Sequence, residues 1–202
     1  QTQSNVLLGH IGIARNNPDY ETVMVMNYIL GGGGFVSRMT SNIRTKQGLA
    51  YSVYCRFDTK QRSGMYFAEL QTKNETTGQA IKSLIDEINR IRNEPASTTE
   101  LEDAKNYYIG YVNFRLETNA DKASNIILGE FYGLPLDYIQ KQNEKIKGIT
   151  IEDIKTVANK YLDSNAGIAS SFSGSYNKPD APIDNCLLAF NKQSFSTVLP
   201  CF

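Results

Sequence analysis

One histidine and three cysteines are the whole stock of soft metal ligands in these 202 residues. That scarcity excludes more than any motif includes. A metal site or a catalytic triad needs partners at matched spacing, so the lone His10, set in a strand-like segment, reads as a structural or surface residue. Cys55, Cys186 and Cys201 are odd in number, widely scattered and without a C-x-x-C spacing, which argues against a disulfide framework and against a cysteine zinc site. Cys55 falls in an apolar strand pattern and is expected to be a small buried hydrophobe. No excess of one sign of charge exists, because Lys plus Arg and Asp plus Glu both number 21. Nothing in that balance points to nucleic acid or to an anionic membrane. No apolar run approaches the roughly 20 residues of a membrane-spanning helix. The start at Gln1 shows neither a Met nor a signal-like apolar region, so the chain is expected to be an excised piece.

What is present is enough for one domain with a real core: 202 residues, 41% of them hydrophobic. The most informative stretch runs from Leu30 to Tyr54. It holds four consecutive glycines, Gly31 to Gly34, then a short polar segment with Arg44, then Gly48 and an aromatic strand beginning near Tyr51. Glycines free the backbone for positive φ and for close approach to another chain. Arg44 is permanently charged, and Tyr51 carries an O–H donor. Each also has a bland reading: a flexible connector, a cation favoured at a helix C-terminus, and a good strand residue. Nucleotide readings fail. The sixth position of a G-x-G-x-x-G counted from Gly31 is Val36, and no Lys-Ser or Lys-Thr follows the glycines. A single sequon at Asn74 carries little weight.

The pattern predicts a strand over Val6 to Ala14. A helix follows, with Asn17 as N-cap and Pro18 first, running to about Leu30 where the glycines end it. Ser37 to Lys46 reads as a short helix stopped by Gly48. Leu49 to Asp58 alternates as a strand, with Leu49, Tyr51, Val53, Cys55 and Phe57 on one face. Met65 to Lys73 completes a hairpin. Ile81, Leu84, Ile85, Ile88 and Ile91 mark a helix ending before Pro95, and Ser97 with Glu100 forms a capping box for a long helix reaching Arg115. Further helices are expected from about Asp121 to Tyr132, Leu136 to Ile146 and Ile151 to Leu162, the last capped by Thr150 with Asp153. The helical aromatics read as core. Gly167 to Phe172 is a final strand. Strands before and after a block of helices imply an α+β fold, two layers, with a largely antiparallel sheet and helices on one face. The domain is placed at residues 1–175, leaving 176–202 as a tail without clear period.

In this order the elements and their motifs resemble the M16 metallopeptidases of the pitrilysin, insulysin and mitochondrial processing peptidase type, specifically their C-terminal non-catalytic domain. The resemblance covers roughly Asn5 to Phe172. It rests on Gly9-His10-Ile11-Gly12, Asn17-Pro18-Asp19-Tyr20, Ile29-Leu30-Gly31-Gly32-Gly33, Ser37-Arg38-Met39, Ile43-Arg44 and Gly48-Leu49-Ala50-Tyr51-Ser52. Downstream, Glu100-Leu101, Ala104-Lys105 and Gly133-Leu134-Pro135 extend it.

The resemblance implies that zinc sits on a separate N-terminal domain or partner subunit, on an inverted His-x-x-Glu-His helix that this sequence lacks, so no metal ligand is assigned here. It implies a peptide or unfolded protein as substrate and an M16 catalytic domain or subunit as partner. It implies that Arg44 and Tyr51 reach across a clam-like chamber to the peptide, Tyr51 as the catalytic phenol at the oxyanion and Arg44 orienting the substrate, with Gly31, Gly32, Gly33 and Gly34 running close to it. The competing expectation is a non-proteolytic structural or peptide-binding domain of the same family. A stand-alone serine hydrolase is disfavoured, because no G-x-S-x-G elbow occurs. Bacterial periplasmic, secreted and cytoplasmic locations all fit the sequence.

Overall fold

A computed structural model of the chain describes residues 3–114, 116–163, 167–172 and 186–189, the last two ranges as backbone strands. Strand β1 (Gln3–Ile11) lies at the centre of a five-stranded sheet of order β2-β3-β1-β4-β5, with β2 (Ser52–Asp58), β3 (Met65–Lys73), β4 (Gly167–Phe172) and β5 (Cys186–Ala189). All four strand pairings are antiparallel, with Val6 opposite Leu70 and Leu70 opposite Val53. Period-two alternation decides which side is buried. Val6, Leu8, Val53, Cys55, Phe57, Tyr66, Ala68 and Leu70 form the inner face, while Leu7, Ile11, Tyr54 and Met65 lie exposed on the other.

Six α-helices follow the sequence pattern: α1 (Tyr20–Asn27), α2 (Thr77–Asn93), α3 (Thr98–Phe114), α4 (Asn119–Tyr132), α5 (Tyr138–Gly148) and α6 (Ile151–Tyr161). Ala80, Leu84, Ile88 and Ile91 put one stripe of α2 into the core, as their spacing requires. Val23, Val25, Met26, Ile154 and Val157 add the stripes of α1 and α6. The Ser97 capping box forms, Ser97 N–H donating to Glu100 Oε2 at 2.7 Å and Glu100 N–H to Ser97 Oγ at 3.2 Å. So does the Thr150 box, reciprocated by Asp153. Helices on one face of an antiparallel sheet are the architecture that the pattern predicts.

Several boundaries and one packing assignment differ. The first strand starts at Gln3 and ends at Ile11, because Gly12 and Ile13 leave the ladder to bond Gly64 instead. The first helix begins at Tyr20, since Asn17 is spent on a turn, its Oδ1 accepting from Asp19 N–H at 2.9 Å. The glycines do not end that helix. It widens into a π-helical turn over Tyr28–Gly32. Tyr51 is not on the buried face with Val53: the strand starts at Ser52, and Tyr51 is exposed beyond its end. Among the helical aromatics, Tyr108 packs against the core but Tyr107, Tyr111 and Phe114 are exposed, so these three are not core residues. Arg115 and the boundary at residue 175 lie outside the described residues, and β5 joins the same sheet as β4.

His10 is structural, as its isolation suggests. Its ring stacks on Tyr66 at 4.8 Å between centroids, and its Nε2 accepts from Asp163 N–H at 3.3 Å. Asn17-Pro18 and Gly133-Leu134-Pro135 line one cavity of about 230 Å³, where Tyr138 O–H donates to the buried Glu21 and accepts from Arg15 at 3.0 Å. That polar cluster locks α5 to α1.

Candidate functional site

The stretch from Gly31 to Tyr51 folds along the edge of strand β2. At three of its four glycines an added side chain would meet a close neighbour, backbone at Gly31 and Gly33 and the Asn27 amide at Gly32. A Cβ on Gly31 would stand 2.7 Å from Cys55 Sγ and 2.8 Å from both Cys55 N and Met39 Sδ. On Gly32 it would meet Asn27 Nδ2 at 2.6 Å, and on Gly33 Tyr28 O at 2.8 Å. Gly34 differs: it adopts φ +62 with open space around it, the left-handed conformation that favours glycine. The sequence predicts that these glycines approach another chain. The backbone that Gly31 approaches is the protein's own strand β2, and Gly31 is buried, so it is corrected from ligand contact to packing.

That packing closes the sheet edge. Asn27 Nδ2 donates to Cys55 O at 3.4 Å and Thr40 Oγ1 donates to Val53 O at 3.3 Å. Side chains therefore occupy carbonyls that an added strand would use. The Cys55 thiol is buried here, and desolvation pushes its pKa up to about 12, which makes it an inert space-filler.

After Gly34 the chain makes a tight turn over Gly34–Val36, tied by Ser37 Oγ to Gly34 O at 2.7 Å and by Ser41 Oγ to Phe35 O at 3.3 Å. A second π-helical segment, Thr40–Lys46, carries Ile43 inward and Arg44 outward, and ends at Gly48 with φ +64. Residues 38–47 are pinned by polar contacts on two sides, to α2 and to the start of α3 with the turn before it. Asn42 donates to the buried Glu87 at 2.6 Å, Ser83 donates to Gln47 at 2.9 Å, and Arg38 bridges Glu100 with two bonds of 2.6 and 2.9 Å while donating to Pro95 O at 3.1 Å. Burial alone would raise the Glu100 pKa, but bonds from Arg38 and from Ser97 outweigh it and hold the carboxyl at about 2.

Half-buried Arg44 and exposed Tyr51 come together at the surface. The Arg44 guanidinium lies 5.9 Å from the Tyr51 ring centre, and Tyr51 is 71% exposed. Tyr51 N–H donates to Gln71 O at 2.8 Å, which fixes the residue's start off the end of β2. A third side chain, which sequence reasoning did not single out, completes the group: Arg44 also stands 4.9 Å over the ring of Phe35, itself 74% exposed. Its signal was an apolar residue directly after the glycine run. Among the described residues, no carboxylate pairs with Arg44. Nor does any group of three or more His, Cys, Asp or Glu there lie placed to hold a metal ion.

Comparison with known proteins follows the same lines. Residues 1–108 match the model of the peptidase M16 inactive domain. A Helicobacter pylori protein named "Non-peptidase homolog YmxG" is 29% identical over 141 residues, covering 70% of this chain and 32% of the relative. An "Uncharacterized zinc protease" of Rickettsia felis is 30% identical over 166 residues, covering 80% and 39%. The chain thus spans about a third to two-fifths of these curated relatives. The peptidase M16 inactive domain from Pseudomonas fluorescens superposes with a TM-score of 0.80 at 33% identity, covering 89% of this chain and 43% of that one. An inactive peptidase domain from Bordetella parapertussis shares the fold at 16% identity and a TM-score of 0.71, and this chain covers 96% of it. By its matched residues and its fold, the chain belongs to the peptidase M16 inactive-domain family.

Proposed function

We propose that this chain is the zinc-free, substrate-binding half of an M16 zinc endopeptidase, acting with a zinc-bearing M16 domain or subunit on a peptide or unfolded protein. The observation that carries this reading is the pairing of half-buried Arg44 with exposed Tyr51 at the surface, beside residues held by buried or half-buried polar contacts. Binding groups held this firmly lose little entropy when a ligand arrives. In this reading, activation of the attacking water belongs to the zinc-bearing half.

What Tyr51 adds is an O–H donor aimed at the oxygen that gains charge as the peptide bond is attacked, a contact that strengthens in the transition state. Arg44 offers a planar fork of N–H donors to substrate carbonyls and keeps its charge at every working pH. Its part is orientation. Exposed Gly32 and Gly34 leave room for a peptide beside the pair.

In the assembled enzyme, Tyr51→Phe is expected to lower kcat by about 100- to 1,000-fold with KM little changed, the signature of a donor used in the transition state. Arg44→Ala should raise KM as well. Turnover unaltered by Tyr51→Phe defeats the assignment. A second reading draws on the Helicobacter pylori relative's name: a domain that binds peptide or holds an assembly together without proteolysis. Under it, a zinc-bearing half that assembles with this chain shows no peptide hydrolysis at all.

A further inference from the structure

We infer that the cleft between α4 and α5 binds a small monocarboxylate with an apolar tail, its carboxylate on Arg15 and its tail along α4. Neither Arg44 nor Tyr51 lines this cleft. Two cavities meet here, sharing Arg15 and Tyr138 as a common wall. The one of about 230 Å³ described above is polar and lies against the starts of α1 and α5. The other, of about 100 Å³, is lined chiefly by apolar side chains, among them Ile126, Leu128, Leu134, Leu136 and Ile139. An apolar cleft that ends on a few fixed polar groups is the usual form of a small-molecule site.

Arg15 supplies the charge that a carboxylate needs. Its guanidinium lies 3.8 Å from the ring centre of Tyr20 and 4.9 Å from that of Tyr138, and it donates to Tyr138 Oη at 3.0 Å. Tyr138 is itself fixed, donating to the buried Glu21 and accepting from Gln142 Nε2 at 3.3 Å. Two rings and one hydrogen bond thus hold half-buried Arg15 in place, while its other side-chain N–H groups have no acceptor among the described residues. A planar fork held in this way is ready for a carboxylate. The neighbouring charges limit the ligand to one. Lys145 stands 3.6 Å from Glu21 and Lys141 pairs with Asp137, so both carboxylates of the polar cavity have a lysine, whereas Arg15 forms no ion pair among the described residues. A second negative charge on the ligand would face Glu21 and Asp137 at one end, or enter the apolar cleft beside Glu130 at the other. The tail answers a separate observation: α4 buries no residue, and an alkyl chain along it takes Ile126 and Leu128 out of water.

Calorimetric titration of octanoate into the 202-residue chain tests the site. Octanoate should bind at millimolar concentration or below. Butanoate, too short to fill the cleft, should bind at least about tenfold more weakly. Octanol, which lacks the charge, and octanedioate, which carries a second, should each lose at least about tenfold as well. Inorganic phosphate, with no tail, should not displace octanoate. Arg15→Gln should weaken octanoate binding by about tenfold or more. Ile126→Glu should do the same by placing a charge in the cleft, whereas Ile127→Glu, on the same helix but outside the cleft, should stay within about twofold of wild type. Ile126 and Ile127 are 64% and 67% exposed, so this pair decides the matter even where circular dichroism shows Arg15→Gln to be unfolded. No binding of octanoate by wild type at millimolar concentration, octanol binding as tightly as octanoate, displacement by an equal concentration of phosphate, unaltered affinity in folded Arg15→Gln, or equal affinity in Ile126→Glu and Ile127→Glu each overturns the proposal.

Discussion

Gly31 and Gly34 stand three positions apart and are glycine for opposite reasons. At Gly31 the obstacle to a side chain is external, the sulfur atoms of Cys55 and Met39 and the backbone nitrogen of Cys55, all within 2.8 Å of where an added methyl carbon would stand. The nitrogen cannot rotate away, so Gly31→Ala is expected to cost about 1–3 kcal/mol through overpacking. At Gly34 the obstacle is the φ of +62 itself, worth about 1–2 kcal/mol for an L side chain. Asparagine tolerates that conformation, so Gly34→Asn should be milder than Gly34→Ala while Gly31→Asn should be harsher than Gly31→Ala. Urea melts of the four variants decide it. The Arg38–Glu100 pair makes a pH prediction. Glu100 is held at about 2 when folded against an ordinary value of 4.5, so its contribution is complete above pH 4.5 and fades as pH falls toward 2. Arg38 is nearly buried at 7% side-chain exposure, whereas Glu100 is 28% exposed and partly screened. Glu100→Gln should therefore cost about 1.5–3 kcal/mol at pH 7. The gap from wild type should narrow across that acid window.

At the scale of elements, local signals and packing carry different weights. Helices α4 and α6 each begin with a complete capping box, from Thr118 and Thr150. Each cap contributes about 1 kcal/mol to its own helix. Yet α6 buries Ile154, Val157 and Ala158, whereas α4 buries no residue and exposes Ile126, Ile127 and Phe131. Thr150→Ala should then lower the global unfolding free energy by about 1 kcal/mol, while Thr118→Ala should speed amide exchange within α4 and leave the global midpoint nearly unmoved. The boxes at Ser97 and Thr150 were legible because each acts within one turn. Strand β2 was legible by alternation, but the covering of its edge by Asn27 and Thr40 was not. Asn27 stands just before the π-helical turn Tyr28–Gly32 and Thr40 well after it, and no hydrophobic period announces a turn that brings both to the same strand.

The described strands form one sheet, with α1, α2 and α6 packed on its inner face, and the chain's single His is engaged with Tyr66 and Asp163. With no ligand cluster among the described residues, chelator should leave the thermal midpoint unchanged, and added zinc should not give the chain alone any peptide hydrolysis. A calorimetric scan with and without chelator checks the first, and a quenched-peptide assay the second. Composition and the ordered motifs determined the α+β class, the family and the absence of a zinc helix, because those follow from residue identity and local period alone. Tertiary structure decided that Gly31 faces the core, that Tyr51 clears the end of its strand, and that Phe35 stands beside Arg44. Each of these depends on how closely a helix end can approach a strand edge, a distance set by packing between segments that the sequence keeps apart.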